Sequence, residues 1–316
     1  MQKSERKCLF CYDPLENETG DFHEKCSRSF FGSPVPPEIN FGLEDVEGMA
    51  VKVLGRSQSV TGVQPKLSLE LGPTEKDRNK KRLTIVNLWG SYILKPPIVN
   101  FPQMTEAEDL TMHLSALMKI PTAQHSLIRL KSGELAYISK RFDRAGRYRL
   151  QAEDMAQLTG TLTENKYKSS MEKTGRIILK YSTNNKFDIL TFFELTLFCF
   201  LTGNADMHLK NFSLLTNEDE EIALAPAYDL LPTKLLTPKD PEEMALTING
   251  RKNNLRKKDF DLLAEKLGIN ERSRDNSYRK FFTGKDSMLT FIDKSFLSED
   301  YRKRYKELIS ERFARL

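Results

Sequence analysis

The stretch that decides the fold is GNADMHLKNF, residues 203–212. It follows a strongly apolar run, Phe192–Leu201, which is typical of a buried helix. It precedes Ser213–Leu215, which predicts a short strand. A loop between two buried elements should therefore hold the carboxylate of Asp206 and the amide of Asn211 at a fixed separation.

The chemistry that this pair suggests is phosphoryl transfer. In enzymes of that class a carboxylate accepts or orients the proton of an attacking hydroxyl, and an Asn further along coordinates the magnesium bound to the nucleotide phosphates. The D-x-x-x-x-N spacing matches the second half of a protein-kinase catalytic loop, although Asn204 and Ala205 replace the usual His-Arg. Because polar loops also produce such pairs by chance, the hypothesis needs support elsewhere in the chain.

Length and composition exclude several classes of protein. The 316 residues are enough for one large or two modest domains, and 39% of them are hydrophobic. No apolar stretch has the length of a membrane span or the character of a signal peptide, so we expect a cytoplasmic protein without a membrane partner. Four cysteines in such a chain argue against a disulfide framework, and a net charge of +5 is compatible with an anionic ligand.

The N-terminal segment carries Cys8, Cys11, His23 and Cys26. These residue types could form a tetrahedral zinc site, which would be structural because four protein ligands leave no open position. The alternative is that the cysteines stay reduced and pack as small hydrophobic residues. The prolines of PVPP, residues 34–37, predict a stiff linker after this segment.

Residues 57–71, SQSVTGVQPKLSLEL, predict a turn followed by a strand. The turn contains Gly62, and its backbone N–H groups could approach phosphates, although a plain hairpin turn fits the same residues. Further strands are predicted over residues 82–86 and 92–97. Lys95, near the end of the second, could hold the α- and β-phosphates of a nucleotide or could be a solvated strand-end lysine.

The next segments predict a helix and a strand. Thr105 is a candidate N-cap, and Glu108 three residues later could close a capping box with it. Glu108 could instead pair with Lys95, as the helix acid of a kinase does. Residues 135–142 predict a strand, which in a two-lobed kinase leads to the hinge that binds adenine.

The second half of the chain is predicted to be mainly helical. Residues 151–160 predict a helix that stops at Gly160, and the basic tail from Asn249 carries apolar residues at helical spacing. The charged face of that tail either contacts nucleic acid or is simply solvated. Residues 222–229 predict a short strand that ends at Asp229, which is either a metal-binding carboxylate or the cap of a turn.

Taken together, these segments resemble the HipA family of bacterial serine/threonine kinases over about residues 50–315. The matching segments, in the family's order, are TGVQPKL (61–67), ILK (93–95), KRFDR (140–144), QAED (151–154), GNADMHLKNFS (203–213) and YDLL (228–231). The first of these and the GNADMHLKNFS segment are highly specific in combination.

The resemblance implies a fold of class α+β, similar to a two-lobed protein kinase, with a mixed α/β N-lobe and a mainly helical C-lobe. It implies an N-lobe with the nucleotide loop over 38–145 and a C-lobe with the catalytic loop over 146–316. The Cys/His-containing segment over 1–37 is a third part and a further feature outside the resemblance.

The resemblance also implies roles for individual residues, with ATP and Mg²⁺ as cofactors. Asp206 is the implied catalytic base, and Asn211 and Asp229 are the implied magnesium ligands. The implied nucleotide-binding residues are Thr61, Gly62, Val63, Gln64, Lys66, Lys95, Lys140, Arg141, Phe142, His208, Asn211, Tyr228 and Asp229.

As a function, the resemblance implies the toxin of a toxin–antitoxin operon. Its implied partner is a HipB-like helix-turn-helix antitoxin, so that contact with DNA is indirect, and its implied substrate is an aminoacyl-tRNA synthetase. The nucleotide loop comes too early to leave room for an extra N-terminal subdomain of the family. The chain therefore resembles HipT, the short form in which that subdomain is a separate, small HipS-like protein.

HipT-like kinases carry Ser-Ile-Ser ahead of the loop glycine, where this chain has Ser59, Val60 and Thr61. A phosphate on Ser59 or Thr61 would add about two negative charges to a loop that is meant to hold ATP phosphates. We therefore expect autophosphorylation there to be inhibitory. Two other functions stay open, a catalytically inactive scaffold that binds an antitoxin or DNA complex, and a kinase of small molecules.

Overall fold

The structure is a computed structural model that describes residues 6–15, 20–46, 48, 64–74, 77, 80–86, 89–145 and 148–316. The predicted loop residues Ser59, Thr61, Gly62 and Val63 lie outside these ranges. The chain divides into two compact units. The first comprises Met1–Asp109, Ala123–Arg141 and Lys294–Leu297, and the second Leu110–Thr122, Phe142–Asp293 and Ser298–Leu316. The predicted limits of the three parts of the chain stay a prediction.

The first unit is built on a five-stranded antiparallel sheet with strand order β2-β1-β3-β5-β4. Its elements are helix α1 (Glu24–Phe31) and strands β1 (Leu67–Pro73), β2 (Lys81–Val86), β3 (Tyr92–Lys95), β4 (His125–Arg129) and β5 (Leu135–Lys140). The predicted strands are confirmed. Alternate side chains of β1 and β3 are buried, among them Leu67, Leu69 and Leu94, because successive residues of a strand point to opposite faces of the sheet.

Helix α2, Met104–Leu117, follows β3. The prediction of Thr105 as its N-cap is wrong, because the helix already includes Met104 and the residue before it, Gln103, has a φ of 60°. The Thr105 hydroxyl is fully buried and donates to the carbonyl of Leu135 at 3.1 Å. The Thr105 side chain, which the sequence pattern predicted to cap the helix, therefore binds strand β5 instead.

The second unit is mainly helical, as predicted. Its helices are α3 (Met155–Leu158), α4 (Met171–Tyr181), α5 (Asn185–Thr202), α6 (Thr233–Leu236), α7 (Lys257–Lys266), α8 (Glu271–Lys294, whose last residue belongs to the first unit) and α9 (Glu299–Phe313). Its strands are β6 (Arg144–Ala145), β7 (Tyr148–Arg149), β8 (Gln151–Asp154), β9 (Ser213–Thr216) and β10 (Ile222–Leu224). Strands β10-β9-β8 form a three-stranded antiparallel sheet in that order.

Helix α5 forms the core of the second unit and confirms the predicted buried helix. Phe192, Phe193, Phe198 and Phe200 have no exposed surface. A helix that is apolar on every side is stable only when it is covered on every side. None of the helices in the described part of the chain combines the length and the apolar character needed to cross a bilayer.

The helix predicted over 151–160 is partly wrong. Its first four residues form strand β8, in which Asp154 lies opposite Ser213 of β9. Asp154 then caps α3, since its carboxylate accepts from the backbone N–H of Gln157 at 2.8 Å. The predicted stop is confirmed, because Gly160 follows the helix with a φ of 62°.

The strand predicted over 222–229 is also shorter than expected. Strand β10 ends at Leu224, and Asp229 lies in the following loop with a φ of 59°. The backbone leaves the sheet because Ala227 donates to the carbonyl of Pro121 at 2.7 Å. Asp229 is therefore held on a left-handed turn and not at the end of a strand.

Candidate active site

The loop that carries Asp206 begins where helix α5 ends. Gly203 caps that helix with a φ of 69°, and the N–H of Asn204 donates back to the carbonyl of Cys199 at 2.8 Å. A Cβ at position 203 would lie 2.7 Å from the Leu308 side chain and 3.0 Å from the Cβ of Lys234. Only glycine fits both the left-handed turn and the close packing, so this residue directs the chain into the loop.

Hydrogen bonds within the loop fix the predicted pair of Asp206 and Asn211. The N–H of Asp206 donates to the side-chain oxygen of Asn204 at 3.1 Å, and the N–H of Ala205 donates to the Thr233 hydroxyl at 2.8 Å. The Asn211 side-chain N–H donates to the carbonyl oxygen of Asp206 at 3.0 Å. The structure therefore brings the two residues together, with Asn211 buried and Asp206 half-buried.

Tyr167 is a site residue that the sequence analysis missed. Its hydroxyl donates to Oδ1 of Asp206 at 2.6 Å, and no other hydrogen-bond donor reaches this carboxylate in the described part of the chain. Burial, and next the hydrogen bond to Asp206, raise the pKa of Tyr167, so the phenol stays protonated and acts as the donor. No motif marks this tyrosine, since it lies 39 residues before its partner in a polar segment.

The Asp206 carboxylate lies at a cavity of about 440 Å³. Tyr167 and Thr233 form part of the wall, with Lys252 and Glu242, whose side chains pair at 3.1 Å. This wall contains both charged and hydroxyl groups. Because Asp206 itself lines the cavity, a hydroxyl-bearing substrate that enters it could reach the carboxylate.

His208 lies beside this carboxylate and is only 6% exposed. Its ring stands edge-on to that of Tyr167, with centroids 5.0 Å apart. Burial lowers the pKa of His208, although the charges of Asp206 and Asp229 act in the opposite direction. Because burial outweighs these charges and lowers the pKa below the ordinary histidine value, the His208 imidazole is neutral at pH 7.

Tyr228 connects the segment of Asp229 to the end of the catalytic loop. Its hydroxyl donates to the carbonyl of Lys210 at 2.9 Å and contacts the hydroxyl of Ser213 at 2.6 Å. The ring of Phe142 packs on it with centroids 5.2 Å apart. Six of the predicted residues thus lie within the second unit, namely Phe142, Asp206, His208, Asn211, Tyr228 and Asp229.

The first unit contains the predicted Lys95, which forms a buried ion pair with Glu108. The exposed fractions of the two side chains are 6% and 1%. Of the two interpretations of Glu108, capping box or partner of Lys95, the structure selects the second. The Nζ atom of Lys95 also lies 5.3 Å from the centroid of the Tyr137 ring.

The other predicted nucleotide residues of the first unit lie near strand ends. The side-chain N–H of Gln64 donates to the carbonyl of Pro96 at 2.8 Å, which places it next to the end of β3. Lys66 and Lys140 are exposed, and the N–H of Arg141 donates to the carbonyl of Ser91 at 2.9 Å.

The predicted zinc ligands also come together. The ligand atoms of Cys8, Cys11, His23 and Cys26 all lie within 4.8 Å of one another.

Residues 58–285 match the HipA-like C-terminal domain family, and the chain belongs to that family. A protein of Sinorhizobium fredii named provisionally as kinase Y4dM is 32% identical over 217 residues, which are 64% of this chain and 50% of the relative. A protein of Haemophilus influenzae, also named provisionally as a kinase, is 28% identical over 210 residues, which are 62% and 58% of the two chains. The chain therefore spans about half the length of the curated relatives that it matches.

Two solved structures share the fold. One is HipA of Shewanella oneidensis, from a complex with HipB and operator DNA, with a TM-score of 0.65 and 21% identity over 82% of this chain and 64% of that one. The other is the proinflammatory kinase CtkA of Helicobacter pylori, with a TM-score of 0.54 and 18% identity over 71% and 87% of the two chains. The prediction of a HipA-like, kinase-like α+β fold is confirmed. The HipT form stays a prediction.

Proposed function

We propose that this protein is an ATP- and magnesium-dependent protein serine/threonine kinase that acts as the toxin of a HipBST-like toxin–antitoxin system. The observation that carries the proposal is the buried pair of Lys95 and Glu108. In kinases such a pair must be in place because the lysine holds nucleotide phosphates. Burying two charges adds little to stability by itself, so the pair favours a functional role over a structural one.

The residues of the second unit fit the remaining parts of the reaction. Asp206 would accept or orient the proton of the attacking hydroxyl, with Tyr167 holding Oδ1 of a carboxylate that lines the cavity. Asn211 and Asp229 offer the oxygen ligands that Mg²⁺ prefers. The bound ion would supply charge neutralisation on the phosphates.

The proposed partners follow from the family. A HipB-like antitoxin is supported by the HipA structure, which was solved with HipB and operator DNA. A small HipS-like protein is the second proposed partner. The proposed substrate is an aminoacyl-tRNA synthetase. The kinase names of the relatives support the proposed activity, and the synthetase substrate rests on the family resemblance alone.

Phosphate transfer into a cell lysate tests the proposed activity. Labelled ATP and magnesium should label a protein with the wild-type chain but not with Asp206→Asn, and expression of the wild type alone should arrest growth. Asp219→Asn is the matched control, since it changes an exposed aspartate in the turn after β9 and should keep both effects. Equal labelling by Asp206→Asn would contradict the proposal, and label confined to a metabolite would favour a small-molecule kinase. Growth arrest that survives Asp206→Asn would favour the scaffold.

The autophosphorylation of Ser59 or Thr61 is a separate proposal. Intact mass after incubation with ATP and magnesium should show an added phosphate on the wild type. The double variant Ser59→Ala/Thr61→Ala should lack that phosphate and stay active for longer. An active wild-type enzyme whose mass is unchanged after the incubation would contradict autophosphorylation.

A further inference from the structure

The side chains of Cys8, Cys11, His23 and Cys26 have the spacing of a tetrahedral metal site. Bond lengths of about 2.3 Å to sulfur and about 2.0 Å to nitrogen place the ligand atoms of a tetrahedral zinc ion roughly 3.5 to 3.8 Å apart. Nδ1 of His23 lies 3.4 Å from the sulfur of Cys11 and 3.8 Å from that of Cys26. These separations therefore suit a zinc ion at the centre of the four.

The orientation of His23 gives a second, independent indication. Its Nε2 lies 3.0 Å from the carbonyl oxygen of Pro14. A carbonyl only accepts, so Nε2 carries the hydrogen and Nδ1 presents its lone pair to the three sulfur atoms. Metal-binding histidines are held in this way, with the second ring nitrogen donating to a carbonyl or carboxylate.

Packing as small hydrophobic residues does not account for this arrangement. Cys8 and Cys26 are buried, but Cys11 and His23 are half-buried, and the polar imidazole contacts the thiols directly. All three cysteines are free thiols. The three sulfur atoms surround the lone pair of Nδ1 of His23, as metal ligands do. Apolar packing alone would not require the four atoms to face one point.

The segment around these ligands is anchored to the first unit through Tyr12, the residue after Cys11. Tyr12 is 1% exposed and has a φ of 66°, a conformation that a large side chain adopts only when its surroundings enforce it. Its hydroxyl donates to Oδ2 of Asp109 at 2.6 Å, and Oδ1 of Asp109 bonds to Nδ1 of His125 at 2.6 Å. Asp109 is the neighbour of Glu108 on helix α2.

A backbone contact anchors the same segment to the sheet. The carbonyl oxygen of Leu9 accepts from the N–H of Leu127 at 3.3 Å and from the hydroxyl of Ser126 at 3.2 Å. Leu9 lies between two of the ligands, so a bound metal would hold both the contact with β4 and the turn that presents Tyr12.

We propose that Cys8, Cys11, His23 and Cys26 bind one structural zinc ion, and that the zinc-bound segment supports, through Tyr12, the part of helix α2 that carries Glu108. On binding, three thiols release their protons to solvent and bind as thiolates, and the imidazole binds in its neutral form. The inference is independent of the proposed kinase activity, since its readouts are metal content, the cobalt absorption spectrum and backbone exchange.

Metal analysis of the full chain, purified in a reducing buffer without chelator, tests the site. Wild type should contain about one zinc per chain, and Cys11→Ser and Cys26→Ser should lose most of it. Cys199→Ala is the matched control, because that cysteine is buried in α5 and is not one of the four ligands, and it should keep the metal. Zinc content that is the same in the two Ser variants as in wild type would overturn the proposal.

Cobalt(II) added to the zinc-free wild-type protein decides the matter even if the Ser variants fail to fold. A site with three thiolates and one imidazole should give the visible absorption of tetrahedral cobalt and the charge-transfer bands of its thiolates. Wild-type protein with neither zinc nor this spectrum would overturn the site.

Hydrogen exchange tests the support of α2. Removing zinc from the wild type should increase exchange over 104–109 but not in α4. Tyr12→Phe should show the same increase while keeping its zinc, because it keeps the ring and loses the hydroxyl that donates to Asp109. Exchange over 104–109 that does not respond to zinc would overturn the supporting role.

Discussion

At the scale of single residues, the orientation of the Asp206 carboxylate depends on Tyr167, a residue that belongs to no recognisable motif. The Tyr167 hydroxyl occupies one oxygen of its carboxylate at 2.6 Å. A hydrogen bond to a charged group contributes roughly 1.5 to 3 kcal/mol, so its loss should leave the carboxylate less firmly oriented.

Tyr167→Phe should therefore lower kcat by about tenfold or more while leaving KM for ATP nearly unchanged, since about 1.4 kcal/mol corresponds to a factor of ten. Steady-state phosphate transfer measures both constants. Tyr148→Phe, at a tyrosine that is 75% exposed, is the matched control and should behave as wild type. A wild-type kcat in Tyr167→Phe would show that Asp206 needs no such orientation.

The buried His208 should make the stability of the protein depend on pH. Burial lowers its pKa in the folded protein, so the unfolded chain binds the proton more readily. The contribution to stability is present above the ordinary histidine pKa of about 6.5 and is lost as the pH falls below it.

Denaturant unfolding at about pH 8 and about pH 5.5 should show that His208→Gln loses less stability on acidification than wild type. The carboxylates titrate in both proteins, so their contribution to the pH dependence of stability cancels when the two proteins are compared. If the two lose the same amount, His208 does not carry this dependence.

At the scale of elements, strand β3 and helix α2 each contribute one charge to the pair of Lys95 and Glu108. Removing one partner should cost about 3 to 5 kcal/mol, because the other charge stays buried without compensation. Glu108→Ala should therefore lower the free energy of unfolding strongly, as measured in denaturant.

The double variant Lys95→Met/Glu108→Leu separates stability from function. It should recover much of the lost stability, because it replaces the pair with apolar groups, yet it should remain unable to transfer phosphate. A double variant that regains transfer would show that Lys95 does not hold the nucleotide.

The junction between α5 and the catalytic loop depends on one glycine. Gly203→Ala should destabilise the protein by more than the roughly 1 to 2 kcal/mol of a left-handed residue, since the added Cβ also meets Leu308 at 2.7 Å. Gly160→Ala is the matched control, because Gly160 has a φ of 62° and open space around its Cβ position. Equal losses in thermal unfolding would mean that Leu308 moves aside.

At the scale of the whole molecule, the sequence was enough to predict the family. It was not enough to predict which distant strands pair with each other. The buried helix predicted over 192–201 and the strands around Lys95 follow from apolar patterning. The strand at Gln151–Asp154 does not, because its identity comes from pairing with Ser213–Thr216, more than fifty residues away in the chain. Periodicity over ten residues cannot report a partner at that distance.

The sequence by itself determined the buried helix that leads into the catalytic loop, the short strand that follows the loop and the spacing of Asp206 from Asn211. Only the tertiary structure decided that Glu108 pairs with Lys95, that Tyr167 binds Asp206, and that His23 faces three thiols. The first group depends on steric and hydrophobic preferences that act over a few neighbouring residues. The second depends on which side chains folding brings within hydrogen-bonding distance, and one chain read in order does not contain that information.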